Sequence, residues 1–167
     1  MNEQRIYRVL FLCTANSARS VLAEAALQRA GAGSFEAYSA GSTPRGQVNP
    51  DALELLAAEG FDVSRFRSKS WEEFAAPGAP ELDFIITLCD SAAGEACPVW
   101  PGRPVSAHWG LPDPASVEGE AERRAAFAAT LRAIEARIAR LLELPISELD
   151  GAALKRRLAA IGASTDS

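Results

Sequence analysis

No apolar run in this chain approaches the about 20 residues that a membrane-spanning helix needs. Cysteine is scarce: there are three in 167 residues, an odd number that argues against a framework of structural disulfides. With a single histidine, His108, the cysteines lack the spacing of a zinc site. One histidine and no nucleophile elbow also exclude a Ser–His–Asp hydrolase, so His108 reads as a structural residue near a strand end. Basic residues number 17 against 22 acidic ones, giving a formal net charge of −5, and they are dispersed. A nucleic-acid partner needs a concentrated basic face, so none is expected. Repeats and low-complexity segments are absent, and the opening "MNEQRIYRVLFLC" has no signal-peptide cleavage pattern. The expectation is a cytoplasmic protein with no membrane partner. What the chain does have is 48% hydrophobic residues over a length that suits one domain with a proper core.

Hydrophobic periodicity alternates between strand and helix. Tyr7 to Leu12 is apolar and β-prone, broken only by Arg8. Ala18 to Ala30 carries Val21, Leu22, Ala25 and Ala26 at helical spacing and stops at Gly31. A short strand, "FEAYSAG" (35–41), follows. Asn49 is placed to cap a helix that has Pro50 at its first position and Ala52, Leu53, Leu55 and Leu56 on one side. "RSKSWEEF" (67–74) predicts a short helix capped by Ser70, Phe84 to Leu88 a fully apolar strand, and "PVSAHW" (104–109) another. A long amphipathic helix is expected over about 120–144, with Phe127, Leu131, Ile134, Ile138, Leu141 and Leu142 on one stripe. A last helix, about 147–161, carries Leu154, Leu158 and Ile161 and ends at Gly162. Strands that are apolar on both faces, alternating with helices, make an α/β protein with a parallel sheet covered by helices. Ligands of such sheets bind beyond the carboxyl ends of the strands. Cys13, Cys89 and Asp113 all fall at that edge.

"VLFLCTANSARSVLAEAAL" (9–27) runs from the first strand through a loop into the first helix. A loop closing onto a helix start gathers backbone N–H groups at the positive end of the helix dipole, which suits a tetrahedral oxyanion such as phosphate or arsenate. The oxyanion cup is read as Thr14, Ala15, Asn16, Ser17, Ala18, Arg19 and Ser20. Arg19 supplies a planar fork that grips two oxygens. The same field favours a thiolate at Cys13, and Ser20 is placed to hydrogen-bond the sulfur. Asn16 tolerates a left-handed backbone, and its side chain pins the loop. The reading is a nucleophile aimed at a bound oxyanion. Asp113, before Pro114, is a candidate acid that would protonate the departing oxygen.

The stretch resembles the Cys-x5-Arg-Ser loop of the low-molecular-weight protein tyrosine phosphatase superfamily, which includes thiol-dependent arsenate reductases. The likeness continues through "YSAGS", "FIITLCD", "HWG" and "DPA", covering about residues 7–142. It implies Cys13 as nucleophile, Arg19 as oxyanion clamp and Asp113 as general acid. It also implies a three-layer fold, with helices on both faces of a four-stranded parallel sheet of flavodoxin-like order. Residues 1–144 would form the catalytic domain and 145–167 a helical extension found in some members. Some relatives hold a potassium ion with an Asn, a Glu, a Ser and an Asp. Asn16, Glu24 and Ser39 match, but Lys69 sits near the place of the Asp, so no required metal is expected.

Cys89 and Cys97 separate reductase from phosphatase. Reducing arsenate to arsenite takes two electrons, and closing one disulfide supplies two. Cys13 would attack arsenate, Cys89 would attack Cys13, and Cys97 would carry the disulfide outward to an external thiol, either thioredoxin or glutathione with glutaredoxin. Were 89–97 one helix, its two cysteines would lie ~12 Å apart along the axis, whereas a disulfide wants Cα atoms within ~7 Å. The segment is therefore expected to be looped or to unwind on oxidation. The phosphatases usually carry an aromatic after Asp-Pro; here it is Ala115. The thioredoxin-coupled reductases usually place six residues between the pair; here there are seven, which leaves the reductant open. Arsenate reductase is the leading expectation, phosphatase the second, and a non-catalytic anion-binding or redox-sensing module the third.

Overall fold

The computed structural model describes residues 6–88 and 104–163. Four strands form one parallel sheet: β1 Tyr7–Cys13, β2 Phe35–Gly41, β3 Phe84–Thr87 and β4 Val105–His108. Their order, β2-β1-β3-β4, is the expected flavodoxin-like one. The chain goes from β1 to one side, then crosses back to build β3 and β4 on the other. That reversal at β1 opens a crevice at its carboxyl end, where such sheets bind ligands.

Alternation along β1 divides the core. Val9 and Phe11 join the larger cluster with helices α1 (Arg19–Ala30) and α4 (Glu120–Glu143), while Leu10 and Leu12 pack with Trp71, Phe74 and Leu82 on the opposite face. All four β1 residues are fully buried, each contributing about 1.5–3 kcal/mol. On the second face the described cover is the short helix α3 (Glu72–Ala75). Helix α2 (Pro50–Ala58) begins as read: Asn49 Oδ1 accepts from the Asp51 N–H, and Pro50 occupies the first turn. Among the described residues no helix is long and apolar enough to cross a membrane.

The short helix runs Glu72–Ala75 with Ser70 as its expected cap: the Ser70 hydroxyl oxygen accepts from the Glu72 N–H (3.1 Å), while Lys69 and Ser70 are drawn into extended pairing with Gly41. Gly41 N–H donates to Lys69 O, and Trp71 N–H donates to Gly41 O. Two local expectations need correction. On α4, Phe127, Leu131, Ile134, Ile138 and Leu141 are buried, but Leu142 is exposed. The last helix, α5, spans Gly151–Ala163 after a separate 3-10 turn at Ile146–Glu148. It runs through Gly162 instead of ending there. Leu154, Leu158 and Ile161 do face the core, closing it against β4 and α4.

Candidate active site

Cys13 is the last residue of β1, and α1 begins six residues later. The intervening loop is held from outside by its carbonyls. Thr14 O accepts from Thr43 N–H, Ala15 O from Arg45 N–H and the Ser68 hydroxyl, and Ser17 O from Asn49 N–H. In a trans peptide the C=O and the following N–H point in opposite directions. These bonds therefore turn the N–H groups of Ala15, Asn16 and Ala18 to the other face of the loop. Asn16 has φ 47°, the left-handed conformation expected of it.

A hydrogen-bond chain leads to the sulfur. The Lys69 N–H donates to Asn16 Oδ1 (2.9 Å), and Asn16 Nδ2 donates to Ser20 Oγ (2.8 Å). Ser20 Oγ lies 3.0 Å from Cys13 Sγ. Because Ser20 Oγ already accepts from Asn16, its own proton is free to point at the sulfur, where it would stabilise a thiolate. Cys13, Asn16, Ser17 and Ser20 are all buried.

Arg19, at the first turn of α1, joins this loop to the one after β4. Its Nη1 donates to Leu111 O at 2.8 Å, and its Nη2 lies 3.9 Å from Asp113 Oδ2. Asp113 Oδ1 accepts from the Ala115 N–H, capping the 3-10 turn Pro114–Ser116. The structure thus brings together Cys13, Arg19, Asp113, Ser20 and the loop 14–18. Cys89 and Cys97 lie outside the described residues, as does Trp100. The described chain approaching them ends at Leu88, whose N–H bonds Leu12 O beside Cys13. His108 Nδ1 sits 2.7 Å from Thr87 Oγ1. Trp109 is buried in the core.

Behind the loop, Lys69 Nζ lies 3.9 Å from Glu24 Oε1 and donates to Arg67 O (3.0 Å), while the Ser39 hydroxyl donates to the same Glu24 oxygen. Burial pushes the Glu24 carboxyl above the usual carboxylate range and the Lys69 ammonium below the usual lysine range; each opposes that shift in the other. A potassium ion does not fit this set. Asn16 Oδ1 is engaged by Lys69 N–H, and the Lys69 ammonium already stands beside Glu24. Removing that ammonium by Lys69→Met strands a buried carboxylate. We expect a loss of about 3 kcal/mol in urea unfolding, recovered largely in the Lys69→Met/Glu24→Gln double variant. Arg67 forms an exposed two-bond pair with Glu73 (3.0 and 2.7 Å).

Two supporting residues escaped the sequence reading. A Cβ on Gly41 would collide with the backbone oxygen of Thr14, so only glycine lets β2 end this close to the loop. A glycine closing a strand pattern is the signal that could have shown it. Arg137, buried on α4, donates to Trp109 O (2.9 Å) and Gly110 O (3.3 Å). It was legible only as an arginine three residues after Ile134, at core spacing.

The family described as low molecular weight phosphotyrosine protein phosphatase matches residues 8–158. The chain is 37% identical over 124 residues to an arsenate reductase of Halalkalibacterium halodurans, spanning 74% of this chain and 84% of that one. Among solved structures, the thioredoxin-dependent arsenate reductase Cg_ArsC1' of Corynebacterium glutamicum superposes with a TM-score of 0.60 at 26% identity, over 85% of this chain and 63% of that one. An arsenate reductase from Archaeoglobus fulgidus gives a TM-score of 0.58 at 29% identity, over 78% of this chain and 98% of that one. With the match running from β1 into α5, the chain belongs to the low molecular weight phosphotyrosine protein phosphatase family.

Proposed function

We propose that this protein is an arsenate reductase working through Cys13 and a three-cysteine relay. The observation that carries the chemistry is the juxtaposition of Cys13 Sγ, 3.0 Å from Ser20 Oγ, with Arg19, which spans from the anion loop to Asp113. Arsenate sits in the cup of loop N–H groups, gripped by the Arg19 fork. The Cys13 thiolate attacks arsenic, and an oxygen leaves as water with a proton from Asp113. The Cys89 thiolate then attacks Cys13 Sγ. The sulfur–arsenic bond breaks with its electron pair going to arsenic, arsenite departs, and a Cys13–Cys89 disulfide remains. Cys97 attacks Cys89, freeing Cys13 and leaving a Cys89–Cys97 disulfide for an external dithiol to reduce.

The direction toward arsenate is supported by the curated relatives, which bear that name. The reductant class is a thioredoxin-like or glutaredoxin-like thiol; likeness to the thioredoxin-dependent Corynebacterium enzyme supports the former. Ala115 supports reduction over tyrosine-phosphate cleavage, since this small side chain packs against the core and offers no ring to stack on a substrate. We place the work in the cytoplasm.

Mass spectrometry of the arsenate-treated protein, alkylated without prior reduction, tests the relay. The expected product links Cys89 to Cys97 and leaves Cys13 free. If arsenate links no pair while p-nitrophenyl phosphate is hydrolysed equally well by Cys89→Ser, the family's phosphatase chemistry is the right reading.

A further inference from the structure

The loop after β4 brings Asp113 to Arg19, and the C-terminal helix α5 lies against the root of that loop. The Trp109 indole N–H donates to Leu158 O across 2.9 Å of buried interface. One turn later on α5, a Cβ on Gly162 would collide with His108 O and fall 2.5 Å from Trp109 Cδ1. The helix backbone therefore rests flush on the end of β4, and only glycine permits it. From there the loop is tied residue by residue. Trp109 N–H donates to Thr87 O, and Leu111 N–H donates to Leu88 O. Arg137 holds the carbonyls of Trp109 and Gly110, and Arg19 holds that of Leu111. Two residues on is Asp113. Each hold is a directional bond to a backbone or indole group, which fixes the loop's path more tightly than apolar contact alone.

We propose that α5 is a positioning element for the proton donor: through Trp109 and Gly162 it sets the height of the 109–113 loop, and so the aim of the Asp113 carboxyl. This rests on the reading of Asp113 as general acid. Trp109 and Gly162 touch no reacting atom; they act through Asp113. The proposal assigns to the C-terminal helix a part in the reaction beyond closing the core.

A double-mutant cycle on turnover separates this from plain packing. Trp109→Phe keeps an aromatic ring and deletes the N–H; Gly162→Ala forces the helix away from His108. Each is made alone and on the Asp113→Asn background, and all variants are checked for cooperative unfolding. Turnover is followed with arsenate and thiol, and with p-nitrophenyl phosphate. Trp109→Phe is expected to lower kcat about three- to tenfold, the scale of one lost hydrogen bond. Inorganic phosphate, used as a competing oxyanion, should bind as before. On the Asp113→Asn background the same change should have no further effect on kcat. Equal losses in both backgrounds, or a loss carried by weaker phosphate binding, would overturn the proposal while leaving Asp113 as the acid. If Asp113→Asn itself leaves kcat unchanged with both substrates, the acid assignment fails first and this proposal with it. Should Trp109→Phe unfold, Gly162→Ala carries the same cycle.

Discussion

Cys13→Ser will reduce arsenite production to background and, in the same protein, abolish hydrolysis of p-nitrophenyl phosphate. Serine preserves the surroundings: its hydroxyl can still meet Ser20 Oγ, which stays anchored by Asn16 Nδ2, so the loop and its oxyanion affinity are retained. What is lost is chemical. A serine hydroxyl is a far poorer nucleophile than a cysteine sulfur, and an oxygen cannot enter a disulfide, so neither the attack on arsenic nor the two-electron step survives. Cys89→Ser makes the contrast. It leaves the first attack intact, so phosphate-ester hydrolysis should persist at a rate near that of the parent. Arsenate reduction should stall because nothing arrives to break the sulfur–arsenic bond. Thiol-coupled arsenite release and p-nitrophenol release, measured on the two variants side by side, give four outcomes. Readily measurable arsenite turnover in Cys13→Ser would remove the nucleophile assignment; full turnover in Cys89→Ser would remove the relay.

The part of this site that was legible in the sequence is the part built from neighbours along the chain. Cys13 through Ser20 is a single excursion from strand to helix, and the residue types in it dictate its geometry: a left-handed Asn16, a serine one helical turn from it, an arginine at the helix start. That the sheet is parallel and covered by helices was legible for a similar reason, since strands apolar on both faces with helices between them leave few ways to be buried; its order was expected only from the family resemblance. What was hidden are contacts made across long sequence separations. Lys69 was set beside Asn16, Glu24 and Ser39 only by the family resemblance; nothing in its neighbours along the chain shows that its backbone N–H reaches Asn16, 53 residues away, or that its ammonium stands near Glu24 of α1. Its chain is extended there, beside Gly41, and the helix capped by Ser70 follows at Glu72. Gly162 looked like a helix stop because glycine usually is one. Here its missing side chain serves a close approach to β4, a reason that exists only once α5 has folded back. Local preference and tertiary need coincide in the anion loop and part company at these supports.

Asp113→Asn should lower kcat for arsenate reduction by about 10²- to 10⁴-fold, the usual worth of a positioned general acid, with little change in oxyanion binding. The two carboxyl oxygens have separate duties. Oδ1 accepts from Ala115 N–H and caps the turn that begins at Pro114; an asparagine oxygen takes over that bond, so the turn is kept. Oδ2 is the oxygen turned toward Arg19, 3.9 Å from Nη2. On the proposed reading Oδ2 is the oxygen that would deliver the proton, since Oδ1 is engaged as an acceptor and Oδ2 faces Arg19. Asparagine places an amide there, which can hydrogen-bond the departing oxygen but cannot release a proton to it. Asparagine leaves the loop and the Arg19 fork in place, so phosphate, measured as an inhibitor, should bind about as tightly as before. The signature is thus a fall in kcat without a rise in KM, and it distinguishes a lost proton donor from a disturbed cup. A kcat within about threefold of the parent would mean that the oxygen leaves without help from this residue. A raised KM with kcat intact would mean that Asp113 acts only by holding Arg19 in place.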